Sequence, residues 1–201
     1  IVRGFAQIGL GTLVSRLSGF AREVVTAAAF GAGTSMDIFV AAFDSAGKPR
    51  WSACFGDAAD QTGTSVAVDN GGNIILTGSL GGTVDFGGGP LTAAGGQDIF
   101  LVKFNPAGTH MWSMAAGDGA DQIGYGVAVD GAGNIILTGG MRGSADFGGG
   151  ILSGGGGQDV FLARFGPDGM HHWSACYGDA ADRVGRQVAF DGSNAVVLTG
   201  S

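Results

Sequence analysis

The chain has 201 residues and 42 glycines, a glycine content roughly three times that of ordinary proteins. Apolar residues make up 45%, so the composition favours a folded core over disorder. The net charge is −7, and an acidic chain argues against nucleic acid as a partner because phosphate binding requires a basic face.

Residues 1–36 differ in composition from the rest of the chain. They carry three arginines and one glutamate, a net charge of +2, whereas residues 37–201 carry a net charge of −9. All sixteen acidic residues of the longer part are Asp. This bias is typical of turns and caps, where Asp bonds to nearby backbone, rather than of acid–base chemistry.

Apolar residues of the first segment recur at helical spacing, at Leu10, Leu13, Leu17 and Phe20, and glycines from Gly31 onward give a stop signal. The pattern predicts an amino-terminal α-helix over residues 5–30, within a helical segment 1–36. Its uncharged runs are shorter than a transmembrane span normally requires.

The stretch "LVSRLSGFAREVVTAAAFGAGTSMDIFVAAF" resembles the first helix of the MurJ/MviN family of lipid II flippases. The motif residues are Ser15, Arg16, Gly19, Phe20, Arg22 and Glu23. The resemblance implies that Arg16 and Arg22 contact an anionic lipid headgroup and that residues 1–36 associate with a membrane. A truncated flippase fused to foreign sequence is therefore one functional alternative.

A period of 61 residues begins at residue 37. It divides the chain into copies 37–97 and 98–158 and a truncated copy 159–201. Such a period indicates a tandem repeat. The residues that define it are Asp37, Asp98 and Asp159, Trp51, Trp112 and Trp173, and Asp69, Asp130 and Asp191.

Each repeat contains four predicted strands. In the numbering of the first two copies they are "SVAVD" (65–69), "NIILTG" (73–78), "DIFLVKF" (98–104) and "HMWSMAAG" (110–117). The third is apolar on both faces, as in a strand covered on both sides. We therefore predict an all-β fold, a partial β-propeller of four-stranded blades. By analogy with other propellers, the "VAVD" strand is innermost and the Trp strand outermost.

The pattern "GVAVDGAGNIILTG…DFGGG…GGQDVFLARFGPDGMHHWS" resembles the SBBP β-propeller repeat family of bacterial cell-surface proteins, over residues 37–201. The resemblance implies export to the cell surface or beyond, and it supplies no catalytic residues. The leading interpretation is a non-enzymatic module with a binding or structural role, whose partner is a protein or a glycan. A secreted hydrolase or lyase built on a propeller is a second alternative.

The two resemblances overlap at "MDIFVAAF", residues 36–43, which fits both families. This local similarity favours a spurious join of two genes over a designed or natural fusion. A genuine amino-terminal segment would instead place the protein at a membrane.

We predict no catalytic, metal or cofactor site. The "GDAAD" pairs could offer oxygen ligands to calcium, but their recurrence favours acidic turns; they are Asp57/Asp60, Asp118/Asp121 and Asp179/Asp182. The tryptophans could form an aromatic surface for sugars, although packing is the more ordinary role. His110, His171 and His172 lack further ligands at zinc spacing. Cys54 and Cys176 are two periods apart, too far for a disulfide, and we expect buried free thiols.

The repeat boundaries predict an open arc. Residues 37–56 supply only the two outer strands of a blade, and residues 188–200 only the two inner strands of another. We expect end faces that expose Ile75 and Val197 and promote self-association, and two copies could combine into one six-bladed ring.

Overall fold

The computed structural model describes the backbone of residues 24–30 and all of residues 37–191 and 193–201. This part of the chain contains seventeen β-strands and no helix. The strands are β1 Val24–Phe30, β2 Asp37–Phe43, β3 Pro49–Phe55, β4 Gln61–Val68, β5 Ile74–Leu80, β6 Thr83–Asp85, β7 Pro90–Thr92, β8 Asp98–Phe104, β9 His110–Ala116, β10 Gln122–Val129, β11 Ile135–Met141, β12 Ser144–Asp146, β13 Ile151–Ser153, β14 Asp159–Phe165, β15 His171–Tyr177, β16 Gly185–Phe190 and β17 Val196–Gly200.

Two complete antiparallel sheets repeat the same order, β4-β5-β8-β9 and β10-β11-β14-β15. The four strands predicted for each repeat are therefore confirmed. The strand that carries "VAVD" lies at one edge of the sheet and the Trp strand at the other. A three-stranded sheet β1-β2-β3 precedes them and a two-stranded sheet β16-β17 follows.

The Gly-rich loop predicted between the second and third strands is partly ordered into a short hairpin. Strands β6 and β7 pair in the first complete sheet's loop, and β12 and β13 pair in the next. The alternation of apolar and polar residues in this loop is too short to predict strands of three residues.

The predicted amino-terminal helix is wrong for residues 24–30. These residues form β1, which pairs antiparallel with β2 over its whole length, from Val24 opposite Phe43 to Phe30 opposite Asp37. The free edge of β2 offers backbone partners that a local helical pattern does not reveal, and tertiary pairing overrides such a pattern. The remainder of the predicted helix lies outside the described residues.

The sheets stack face to face, and their cores lie between them. One core joins β2 to the β4-β5-β8-β9 sheet and includes Val40, Leu76 and Phe100. A second core joins that sheet to the next and includes Ile75 and Phe161. The expectation that Ile75 lies on an exposed end face is therefore wrong, because the following sheet covers it completely.

The described sheets form an open series rather than a closed ring. Sheets β1-β2-β3 and β16-β17 stand at its two ends and do not pair with each other. At the second end Val197 is 59% exposed, as expected. An apolar face is thus left uncovered at the end of the series.

Candidate functional site

The recurring Asp at the end of each inner strand closes a hairpin. Asp69 Oδ1 accepts the backbone N–H of Gly71 at 2.8 Å and that of Asn73 at 2.9 Å. Asp130 and Asp191 accept from the equivalent positions, two and four residues on. These side chains therefore replace backbone partners in a tight turn, as the Asp-only composition predicted.

An ion pair reinforces this turn in each complete sheet, and the pair in the first of them is buried. Lys103 Nζ lies 2.9 Å from Asp69 Oδ2, and Arg164 lies 3.0 Å from Asp130 Oδ2. Burial raises the pKa of Asp69, but hydrogen bonds from Asn73 and Lys103 outweigh it and hold the pKa below its usual value. The pair fixes the inner strand against the third strand of the same sheet.

The "GDAAD" loops lie at the opposite ends of the strands from these turns, and the first Asp of each complete-sheet loop accepts several hydrogen bonds. Asp118 Oδ1 accepts from Ala120 N and from Gln122 Nε2, and Oδ2 accepts from both the N–H and the hydroxyl of Ser144. The Ala120 bond, opposed by desolvation and helped by Ser144 and Gln122, lowers the pKa of Asp118 to about 2. Asp57 binds Ala59, Gln61 and Thr83 in the same way.

The last Asp of the loop connects neighbouring sheets. Asp121 Oδ1 accepts the N–H of Gln97 at 3.0 Å, and Asp182 Oδ1 accepts that of Gln158 at 2.8 Å. Both residues thus bind the segment that enters the third strand of the preceding sheet. Most "GDAAD" carboxylates have structural partners, and among the described residues no three His, Cys, Asp or Glu side chains converge as a metal site requires.

The Asp that opens each third strand has a different environment. Asp98 is 3% exposed; its Oδ2 accepts the N–H of Ala94, while Oδ1 has no hydrogen-bond partner. Burial, together with the charge of Asp118, raises the pKa of Asp98. Oδ1 of Asp159 is likewise buried and unpartnered, whereas Asp37, in the end sheet, is only partly buried.

Two of the three outer-strand tryptophans contact the next sheet. Trp51 Nε1 donates to the carbonyl oxygen of Pro106 at 3.0 Å, and Trp112 Nε1 donates to that of Pro167 at 3.2 Å. The glycine of the same turn lies against the indole, because a Cβ at Gly108 would come within 2.8 Å of Trp51. We call this contact the Trp latch, and it shows a packing role for these two residues.

Trp173 is the exception among the three tryptophans. It is 37% exposed, and the described chain places no equivalent turn against it. Tyr177, on the same face of β15, is 55% exposed. The aromatic surface is thus confined to the end of the series rather than repeated on every sheet.

Two of the three histidines pack on the "GGG" runs. His110 Nε2 lies 3.0 Å from Ser113 Oγ, and a Cβ at Gly88 would lie 2.1 Å from the His110 ring. His171 lies over Gly149 in the same way. The glycines therefore make room for an imidazole.

The two cysteines are free thiols on separate sheets. Cys176 is half-buried against the second core, and burial raises the pKa of its thiol. The expectation of a buried thiol is wrong for Cys54, which is exposed. No described sheet covers the face of β3 on which Cys54 lies.

Arg16 and Arg22 lie outside the described residues, so the proposed lipid contacts remain predictions. Among the described residues, no helix has the length and apolar character needed to cross a bilayer.

The sequence did not predict the Trp latch or the lysine and arginine paired with the turn Asp. The sequence does contain a sign of the Trp latch, because Gly108 and Gly169 share the 61-residue period with the tryptophans. However, the latch joins residues 55 positions apart on neighbouring sheets, and local patterns do not report such contacts.

Comparison with known proteins supports the fold alone. No protein-family model and no curated protein matches the chain, so neither family resemblance is confirmed. A crystal structure of a protein of unknown function from Bacteroides caccae is similar, with a TM-score of 0.53 and 10% identity. The match covers 89% of this chain and 50% of the other, so this chain spans about half the length of its structural relative.

Proposed function

We propose that the chain is a non-enzymatic β-propeller repeat module of the SBBP type in an exported bacterial surface protein, with a binding or structural role. This proposal rests on one observation, that the repeated acidic side chains hydrogen-bond to the protein's own backbone. At the turns and in the "GDAAD" loops, carboxylates such as Asp69, Asp118 and Asp121 bind backbone N–H groups.

A hydrolase or lyase requires polar groups directed at a substrate. Paired carboxylates serve this purpose in most glycosidases. Here the carboxylate of Asp118, whose pKa is lowered to about 2, faces Ala120, Gln122 and Ser144 of its own sheet. The buried oxygen of Asp98 has an equivalent in Asp159, and such repetition is expected of a structural position.

A panel of bacterial and host polysaccharides tests this proposal with the intact chain. The same samples are assayed for binding by calorimetry and for turnover by release of reducing ends or of unsaturated products. We expect no turnover above that of heat-denatured protein, with or without binding. Turnover that disappears in Asp98→Asn but persists in Asp168→Asn, an exposed turn residue, would overturn the proposal.

A further inference from the structure

Strands β4, β10 and β16 contain a β-bulge at the same position. In each strand the pairing with the next strand skips one residue, and that residue is Thr64, Tyr125 or Arg186. These three residues are one 61-residue period apart. A bulge redirects the side chain of its extra residue and is common beside functional sites. The repeat therefore places one side chain per sheet outside the regular pleat.

The backbone around the bulge is the same in all three strands. A glycine precedes the bulged residue, and Val-Ala follows one residue later. The second strand of the preceding sheet lies against this glycine. A Cβ at Gly124 would lie 2.4 Å from Thr77 Oγ1. A Cβ at Gly185 would lie 2.1 Å from Thr138 Oγ1. The stacking of the sheets thus fixes the bulge in place, whichever side chain it carries.

The bulged side chain, by contrast, changes its chemistry from repeat to repeat. It is a hydroxyl in Thr64, a phenol in Tyr125 and a guanidinium in Arg186. A residue needed for the fold alone is expected to recur, as the turn Asp and the outer-strand Trp do. Repeat proteins bind partners on extended surfaces that successive repeats build together. The bulges offer such a surface, with a fixed backbone and different side chains.

The three bulges lie side by side across the sheets. Thr64 Oγ1 donates to the carbonyl oxygen of Gly124, the residue before Tyr125. The guanidinium carbon of Arg186 lies 4.8 Å from the centroid of the Tyr125 ring. Thr64 and Tyr125 are both half-buried. The sheet of Thr64 packs against a sheet on each face, so the bulge remains accessible where sheets stack on both sides.

Arg186 differs from the basic side chains that stabilise the fold. Four of those lie at most 3.0 Å from an Asp carboxylate, namely Lys103, Arg142, Arg164 and Arg183. The described part of the chain forms no such ion pair with Arg186, whose guanidinium lies over an aromatic ring instead. A cation–π contact holds the guanidinium without using its N–H donors.

Free guanidinium donors fit the two oxygens of a carboxylate. Beside them, the ring of Tyr125 suits the C–H face of a sugar, and its hydroxyl can donate or accept a hydrogen bond. Residues 37–201 carry a net charge of −9, which disfavours a ligand with closely spaced anionic groups. A sugar acid within an otherwise neutral glycan meets all three conditions.

We propose that the bulges form a binding site for an acidic glycan. Arg186 binds the carboxylate of a uronate residue, Tyr125 contacts the sugar ring and positions the guanidinium, and Thr64 borders the site. This inference rests on the binding role proposed above and adds the class of ligand.

Calorimetry on the full chain tests the ligand class. The probes are an oligosaccharide that carries one glucuronate and the methyl ester of the same oligosaccharide, which has no charge. We expect saturable binding of the acid and at least about tenfold weaker binding of the ester, the loss typical of a charge-assisted hydrogen bond. Equal affinity for the acid and the ester would overturn the role of Arg186.

Exchanges between repeats test the residues. Arg186→Thr and Tyr125→Thr introduce the side chain that Thr64 already provides at this bulge, so the fold should be retained. Lys48→Thr is the matched control, because it removes one positive charge from an exposed turn and introduces the residue found at Thr109 in the next repeat. We expect at least about tenfold weaker binding of the acid in Arg186→Thr and no change in Lys48→Thr. Arg186→Lys should restore only part of the affinity, since it keeps the charge but not the planar donors.

Three results would contradict the acidic-glycan site. Equal weakening in Arg186→Thr and Lys48→Thr would show that net charge, rather than the bulge, attracts the ligand. Absence of binding to the acid would overturn the proposal directly. Binding of a peptide with a free terminal carboxylate, but not of the glycan, would assign the site to a protein partner. All three leave the non-enzymatic module intact, because that proposal fails only if a polysaccharide is turned over.

Discussion

Asp118 is a carboxylate whose hydrogen bonds stabilise the fold. Four donors from three residues hold its pKa near 2, against about 3.9 in an unfolded chain. Because the folded pKa is depressed, its contribution to stability is present above about pH 4 and is lost as the pH falls towards 2. Asp118→Asn should therefore lower the free energy of unfolding at pH 7 by about 1–2 kcal/mol.

Urea denaturation at pH 7 and pH 2 measures this effect. The difference between wild type and Asp118→Asn should shrink at pH 2, where the wild-type carboxylate is itself becoming protonated. Asp168→Asn, in an exposed turn with one backbone bond of 3.1 Å, should change stability little at either pH. A variant as stable as the wild type at pH 7 would contradict this account.

For Asp98 we predict the opposite effect of ionisation on stability. Its pKa is raised by burial and by the charge of Asp118, so its ionised form destabilises the fold as the pH rises through the folded pKa. In Asp98→Asn the side-chain carbonyl oxygen can still accept the N–H of Ala94, while the buried charge is removed.

We accordingly expect Asp98→Asn to raise the free energy of unfolding at neutral pH by about 0.5–1.5 kcal/mol. At pH 3 the gain should fall, because protonation removes the charge from the wild-type carboxyl group. Thermal denaturation across this pH range measures both values. A loss of stability at pH 7 similar to that of Asp118→Asn would show that Asp98 is needed as a charged group.

The sequence predicted that the Asp residues lie in turns, but it did not predict that their environments differ. Their enrichment indicated turns, and the bonds of Asp69 and Asp118 agree with that interpretation. The contrast between Asp98 and Asp118 could not be predicted, since burial of Asp98 depends on packing between segments distant in the chain.

Among the elements, the second strand of each sheet depends on a glycine. A Cβ at Gly78 would lie 1.8 Å from the carbonyl oxygen of Thr62 on the neighbouring strand, and backbone cannot move aside as a side chain can. Gly78→Ala should cost about 3 kcal/mol or more, at the upper end of the range for overpacking.

Chemical denaturation of Gly78→Ala and Gly131→Ala separates this clash from a general effect of replacing glycine. A Cβ at Gly131 meets nothing within 4 Å, so this control should remain within about 0.5 kcal/mol of the wild type. Equal effects would show that the close approach at Gly78 is relieved by small shifts.

A separate prediction concerns Trp112, which joins two neighbouring sheets. Replacement by Phe keeps most of the aromatic area but removes the donor to Pro167. The carbonyl oxygen of Pro167 still accepts from Lys103 Nζ at 3.1 Å, so we expect a loss of about 1 kcal/mol rather than more. Denaturation followed by tryptophan fluorescence measures it, with Met111→Leu, at an exposed neighbour, as control. No change in Trp112→Phe would mean that the latch contributes through packing alone.

The strands themselves were largely predictable, because "VAVD", "NIILTG" and "DIFLVKF" carry strong β patterns between turn residues. The β6–β7 hairpin and β1 were not. The first is held by contacts such as the bond from Thr83 N to Asp57, and the second is held by the open edge of β2. In both cases a distant partner, rather than the local pattern, determines the element.

For the whole molecule, a stacked series of sheets is stabilised mainly by contacts between neighbours, so its ends should open first. Hydrogen exchange on the intact chain at low concentration should show strong protection in β5 and β11 and weak protection in β17, whose edge is open. The interior strands β5 and β11 serve as the internal reference for the exchange rates of β17. Equal protection in all three strands would contradict this account, because it would show that the series opens as a single unit.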